Sequence, residues 1–158
     1  MPAPRGYCTG VLYGQEKLIV YGGSDGSECF SDVFTLDIPT ATWSKKKTST
    51  VLPSFSHTAN LAGNSMLVFG GHNASENINS LNLLNIDFRV ETWEWSTKPC
   101  TGSAPAPRGY HSSSLLDNRL FNIGGSDGNN IFSDMNVLDL GIYSLLSSPA
   151  YLIKNTVK

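Results

Sequence analysis

The sequence predicts an all-β chain built from three successive copies of one four-stranded unit. Three observations carry that expectation. A short apolar, strand-forming run that ends in two glycines occurs three times: Leu18-Ile19-Val20-Tyr21-Gly22-Gly23, Met66-Leu67-Val68-Phe69-Gly70-Gly71 and Leu120-Phe121-Asn122-Ile123-Gly124-Gly125. The glycine pairs follow one another at steps of 48 and 54 residues, and a step near fifty is the length of one unit in a stacked β-repeat. No window keeps an apolar face at i, i+3, i+4, i+7 over three turns, so a helical chain is excluded.

In the first repeat, Pro2-Ala3-Pro4-Arg5-Gly6-Tyr7 marks a connection running into an extended segment. Thr9 to Tyr13 reads as a first strand, Gly14 to Lys17 as its hairpin turn, and Leu18 to Tyr21 as a second strand covered on both faces. The glycine pair suits a close approach of neighbouring backbones. Ser24 to Glu28 is a loop, and Phe30 to Asp37 alternates with the period of two expected of a third strand. Thr42-Trp43-Ser44 starts a fourth, outer strand, and Lys45-Lys46-Lys47 reads as a solvated turn leading into a Ser/Thr-rich connection.

The second repeat keeps the order: His57 to Leu61, the turn Ala62 to Ser65, Met66 to Phe69, Leu81 to Asp87 and Thr92-Trp93-Glu94-Trp95. Asp87 precedes Trp93 by six residues, as Asp37 precedes Trp43. The third repeats the first nearly verbatim: Pro105-Ala106-Pro107-Arg108-Gly109-Tyr110, then Gly124-Gly125-Ser126-Asp127-Gly128, then Phe132-Ser133-Asp134, with Val137 to Leu140 as third strand. No Trp follows Asp139 at the expected step, where Leu145 stands, and 147–158 matches no repeat.

Strand, glycine pair, Asp-bearing strand and Trp, in that order at this step, resemble the kelch repeat over residues 2 to 146. The resemblance implies that each repeat is one blade of a β-propeller, an antiparallel sheet standing radially with its strands running from a central channel outward. The expected fold is a partial kelch β-propeller of three four-stranded blades, with repeats at about 2–48, 53–98 and 105–146 and a tail at 147–158. The Pro-Arg-Gly-Tyr openings are more similar to kelch repeats of cell-polarity and Rab-effector proteins than to those that follow a BTB domain. Kelch propellers usually close with six or seven blades. Three blades leave two sheet faces bare, which predicts poor solubility alone, self-association, or completion by further blades. A fragment, a truncated gene product or half of a ring completed by another chain would each fit.

Composition narrows function by exclusion. The 158 residues suffice for one core, with 40% apolar and 15% charged residues. A formal net charge of −2 gives no reason to expect nucleic acid or an anionic membrane as partner. No apolar run reaches the roughly 18 residues of a membrane helix, and Met1 to Gly6 shows no apolar signal region. Cys8, Cys29 and Cys100 lack CxxC spacing, which fits a reduced cytoplasmic setting. Asn73-Ala74-Ser75 forms a glycosylation sequon, a chance match without secretion.

The residues able to carry chemistry favour binding over catalysis. His57 and His111 share one repeat position, where the first repeat has Cys8, so they belong to different blades and read as structural. His72 follows a glycine pair in a loop but has no second ligand near it. Two enzyme classes use kelch propellers. The copper radical oxidases resembling galactose oxidase are secreted and longer. The plant specifier proteins carry iron on Glu-x-x-x-Asp-x-x-x-His, and no histidine here has that spacing. Asp25 and Asp127 sit in Ser-Asp-Gly turns, and Asp32 and Asp134 read as partners of local backbone. The glycine-pair loop is no phosphate loop, since no helix or Lys-Ser/Thr follows. Trp43 and Trp93 read as packing between blades.

The resulting expectation is a non-catalytic protein-interaction scaffold without cofactor or metal. A partner would be held by loops Ser24–Cys29, His72–Asn79 and Ser126–Ile131 and by the connections between blades. Candidate contacts are Arg5, Asp25, Ser54, His72, Asn73, Arg108 and Asp127. A fragment of a kelch-propeller enzyme is the alternative, for which no nucleophile–base pair or ligand set is present.

Overall fold

The computed structural model describes residues 1–50, 52–141 and, as backbone, 151–157. These form thirteen strands and no helix. Blade 1 holds β1 (Thr9–Tyr13), β2 (Lys17–Tyr21), β3 (Val33–Asp37) and β4 (Thr42–Thr48), each antiparallel to the next. Blade 2 holds β5 (Thr58–Ala62), β6 (Ser65–Phe69), β7 (Leu81–Asn85) and β8 (Thr92–Lys98) in the same order. After a two-residue strand β9 (Cys100–Thr101), blade 3 holds β10 (Ser112–Leu116), β11 (Arg119–Ile123) and β12 (Met135–Asp139). Beside β12 the backbone of β13 (Tyr151–Val157) runs antiparallel, with a register shift between Asn136 and Val137. Leu145, at the expected Trp position, lies outside the described residues.

The arrangement is a partial kelch β-propeller, and its cores lie between blades. Alternation along each strand sends one set of side chains to each face. Ile19, Tyr21 and Val33 of blade 1 meet Met66, Val68, Leu84 and Trp93 of blade 2 in one cluster. Leu67, Leu81 and Leu83 point the other way and meet Leu120, Leu138 and Leu140 of blade 3 in a second. Blade 2 is therefore apolar on both faces, and its β6 reads as a continuous apolar run. Trp93 is fully buried, and its indole N–H donates to the Asp87 carbonyl at 2.7 Å. That bond uses the six-residue Asp-to-Trp spacing in blade 2. On blade 1 Trp43 instead meets Phe34 edge-on, at 6.5 Å, on the face away from blade 2.

Neighbouring blades are joined at both ends. At the inner end β1, β5 and β10 lie side by side, with Thr9 Oγ1 2.7 Å from His57 Nε2 and Thr58 Oγ1 2.8 Å from His111 Nε2. At the outer end the last residues of β4 pair in parallel with β8, Lys47 opposite Thr92 and Thr48 opposite Trp93. The β9 backbone pairs in the same sense with β13.

Two expectations are corrected. Lys45-Lys46-Lys47 is not a turn but the body of β4, facing β3 as the outermost strand of its blade. The Lys46 ammonium lies 5.2 Å from the Phe88 and Trp93 rings, and Lys47 pairs with Glu91. The third strand begins at Val33 and not at Phe30, because Phe30 and Asp32 pair with the glycine-pair backbone. Phe30 N donates to Gly23 O, and Asp32 O accepts from Gly22 N.

Candidate functional site

One end of the blades carries every loop named above. In each blade a single bridge fastens the opening segment to the loop after the glycine pair: Gly6 to Ser24, Phe55 to His72, Gly109 to Ser126. The glycine pairs permit this closeness. A Cβ on Gly22 (φ +67°) would lie 2.3 Å from the Ser54 carbonyl oxygen and 2.9 Å from the His57 ring.

The loops are held by their own side chains. Asp25 Oδ1 accepts from the amides of Ser27 and Glu28, at 2.9 and 2.8 Å. Asn73 Oδ1 does the same for Ser75 and Glu76, and Asp127 Oδ1 for Asn129 and Asn130. Bonds from Glu28 and Ser27 lower the pKa of exposed Asp25, and bonds from Asn130 and Asn129 lower that of Asp127. Asn77 Nδ2 donates to the Asp127 carbonyl at 2.7 Å, tying the second loop to the third. His72 is half-buried; its Nδ1 accepts from Ala74 N at 2.9 Å, and its ring lies 5.2 Å from that of Phe55.

Three of the sequence-derived contacts turn inward. Arg108 is 1% exposed. Its guanidinium donates to Asp134 at 2.5 and 3.0 Å, to Gly124 O at 2.9 Å and to Ala106 O at 3.0 Å, with the Phe132 ring 4.1 Å beneath. Arg108 holds the Asp134 carboxyl below its usual range. Arg5 is placed the same way, donating to Asp32, Gly22 O and Ala3 O over Phe30. Ser54, which occupies the same repeat position, is 4% exposed. These three side chains therefore do not stand on the surface as the sequence suggested. Asp25, His72, Asn73 and Asp127 are at least partly accessible there.

His57 and His111 are buried between blades, against Tyr21 at 4.9 Å and Phe69 at 5.5 Å. Burial brings both pKa values down to about 4, helped by His111 for His57 and by Arg108 for His111. They are neutral wedges, not a ligand pair. Among the described residues no group of three or more His, Cys, Asp or Glu is placed to hold a metal ion.

The family model that matches is the KLHDC2/KLHL20/DRC7 Kelch-repeats domain, over residues 1–145. The chain belongs to the kelch-repeat family. Among curated relatives, the Rab9 effector protein with kelch motifs of Bos taurus is 36% identical over 115 residues, covering 70% of this chain and 30% of its own length. Host cell factor 2 of Homo sapiens is 33% identical over 155 residues, covering 81% and 19%. The Leucine-zipper-like transcriptional regulator 1 homolog of Drosophila melanogaster is 29% identical over 144 residues, covering 87% and 15%. The chain thus spans less than a third of the length of these relatives.

The kelch repeat also places residues that sequence reasoning passed over. Tyr7 and Tyr110 are 63% and 60% exposed, with ring centroids 5.7 Å apart and edge to face. Phe55 joins them, its centroid 6.4 Å from that of Tyr7. Tyr7, Ser56 and Tyr110 share one repeat position, and all have positive φ, at 56°, 56° and 58°. Ser56 N donates to Tyr7 O and Tyr110 N to Ser56 O, so the strained backbone is braced from blade to blade. The recurrence of Arg-Gly-Tyr was visible in the sequence; the left-handed backbone that turns the Tyr outward was not.

Proposed function

We propose that this chain is a non-catalytic protein-binding module whose partner docks on the loop end of the blades. The exposed Tyr7–Tyr110 pair carries the reading. Two large aromatic rings stand in water on a backbone conformation that costs energy to hold, on the order of 1–3 kcal/mol per residue. Tyrosine offers wide contact area with little side-chain entropy to lose, and it is enriched at protein interfaces. Around the pair stand the Asp25, Asn73 and Asp127 loops, pre-ordered by their own hydrogen bonds. The names of the relatives, an effector, a host cell factor and a transcriptional regulator homolog, favour interaction over catalysis. The free cysteines fit a reduced cytoplasmic setting, which belongs to the same proposal.

The test is site-specific photo-crosslinking in extracts of the source cells. A crosslinker replaces Ser27 on the loop end or, as control, Thr42 on the outer strand. A discrete heterologous adduct is expected from position 27 and not from 42. It is expected to vanish in the folded Tyr7→Ser/Tyr110→Ser variant. Equal adducts from both positions, or an adduct indifferent to the tyrosines, would overturn the proposal.

A further inference from the structure

Blade 2 lacks the buried Arg–Asp pair of its neighbours. Ser54 stands at the position of Arg5 and Arg108, and Ser80 at that of Asp32 and Asp134. Gly70 N donates to Ser80 O just as Gly22 N does to Asp32 O and Gly124 N to Asp134 O, so the backbone frame is unchanged. Both halves of the ion pair are replaced by small hydroxyls within one frame.

The space is open. A cleft of about 270 Å³ lies where the guanidinium would sit, and its walls include Ser54, Gly70, Ile78, Ser80, Asn82 and Thr97. Gly70, Ile78, Ser80 and Asn82 are the repeat equivalents of Gly22, Phe30, Asp32 and Phe34, the residues that surround the Arg5 guanidinium. Ser54 lines this wall, with its small hydroxyl buried against Gly71. Glu76 stands exposed at the cleft with Asn73, in the loop after the glycine pair. The cleft therefore opens on the loop end and carries a carboxylate. Its volume is below the usual 300–1,000 Å³ of drug-sized pockets and suits one side chain.

We propose that this cleft receives an arginine side chain from a bound protein, completing in trans the cradle that Arg5 and Arg108 complete in cis. The inference rests on the loop end being the partner face, and it adds the chemistry of one anchor. The guanidinium donates to the Gly70 carbonyl, the position that accepts from arginine in the other blades. Its plane lies on Ile78 where theirs lie on Phe30 and Phe132, and its charge is met by Glu76 in place of an aspartate. An arginine fits better than a lysine, because a planar fork of donors reaches several fixed acceptors together.

The test titrates the whole chain with N-acetyl-arginine methylamide, followed by amide NMR shifts at Gly70, Ser80 and Glu76. Saturable binding is expected with a dissociation constant on the order of millimolar, as suits one isolated side chain. The neutral N-acetyl-citrulline methylamide is expected to bind about tenfold more weakly, since it loses the charge-assisted bonds. Glu76→Gln, on the surface, is expected to weaken the arginine probe several-fold. Ser54→Arg/Ser80→Asp rebuilds the pair in cis and is expected to abolish binding; if it does not fold, Glu76→Gln decides alone. Citrulline binding equal to arginine, an unaffected Glu76→Gln, or the absence of saturable shifts would overturn the proposal. A failed probe beside an intact tyrosine-dependent crosslink would sink the cleft and leave the partner face standing. The reverse pattern would sink the partner face and leave the cleft.

Discussion

Lowering the pH from 7 to 5 should destabilise this protein, because the unfolded chain charges two histidines that the fold holds neutral. His57 and His111 are 4% and 7% exposed, and their pKa values lie near 4, below the 6.5 of an accessible imidazole. Between those values the unfolded chain binds more protons than the folded one. Stability is thus complete above pH 6.5 and is lost as pH falls toward 4. At pH 5 the loss is about 2 kcal/mol for each histidine, and about 4 kcal/mol for both. That is a large part of the 5–15 kcal/mol typical of a domain. The charged neighbour is Arg108, which deepens the effect at His111. The assay is urea unfolding followed by tryptophan fluorescence at pH 7, 6 and 5, where carboxylates remain mostly ionised. The His57→Gln/His111→Gln variant keeps a polar group opposite Thr9 and Thr58 and should flatten the dependence. A wild-type midpoint constant from pH 7 to 5, or an equal slope in the double variant, would refute the account.

Three other outcomes follow from the same contacts. Arg108→Ala leaves Asp134 without its main partner; allowing for that carboxylate's 25% exposure, it should cost about 3 kcal/mol in denaturant unfolding, with part recovered by adding Asp134→Ala. Gly71→Ala places a Cβ within 2.8 Å of Ser54, Phe55 and His57 at φ +93°, and should lower stability by about 3 kcal/mol or prevent folding, read by circular dichroism. Burial raises the pKa of Cys29 and Cys100, so both thiols should react with Ellman's reagent more slowly than free cysteine at pH 8, and the difference should vanish in urea.

Much of this fold was legible because its strongest constraints are local and repeated. The run from Met66 to Gly71 declares both a doubly covered strand and the tight approach behind it, and two other copies give blade order, although Leu18 and Val20 of the first copy are only half-buried because no described blade packs on their face. The aspartate-to-Trp spacing was readable because it recurs, and in blade 2 it lets Trp93 bond to the Asp87 carbonyl, whereas Trp43 packs on Phe34. What was not legible depends on partners distant along the chain. Lys45 to Lys47 reads as solvated by composition, yet pairing with Val33 and Phe34 makes it strand. Arg5 and Arg108 look like surface charges until Asp32 and Asp134, 27 and 26 residues on, close over them. The paired loss of Arg and Asp at Ser54 and Ser80 was written in the repeats, but it acquires meaning once the pair is seen to be one object. Tyr7 and Tyr110 were hidden because a residue's φ is not written in its name.

The double fastening of neighbouring blades has a consequence for recognition. A histidine wedge at the inner end and a two-residue parallel ladder at the outer end leave the angle between blades 1 and 2 no free hinge. The distance from one loop to the next is then a fixed gauge. A protein that matches it gains its second foothold without ordering anything new, and one that misses it cannot be accommodated by flexing.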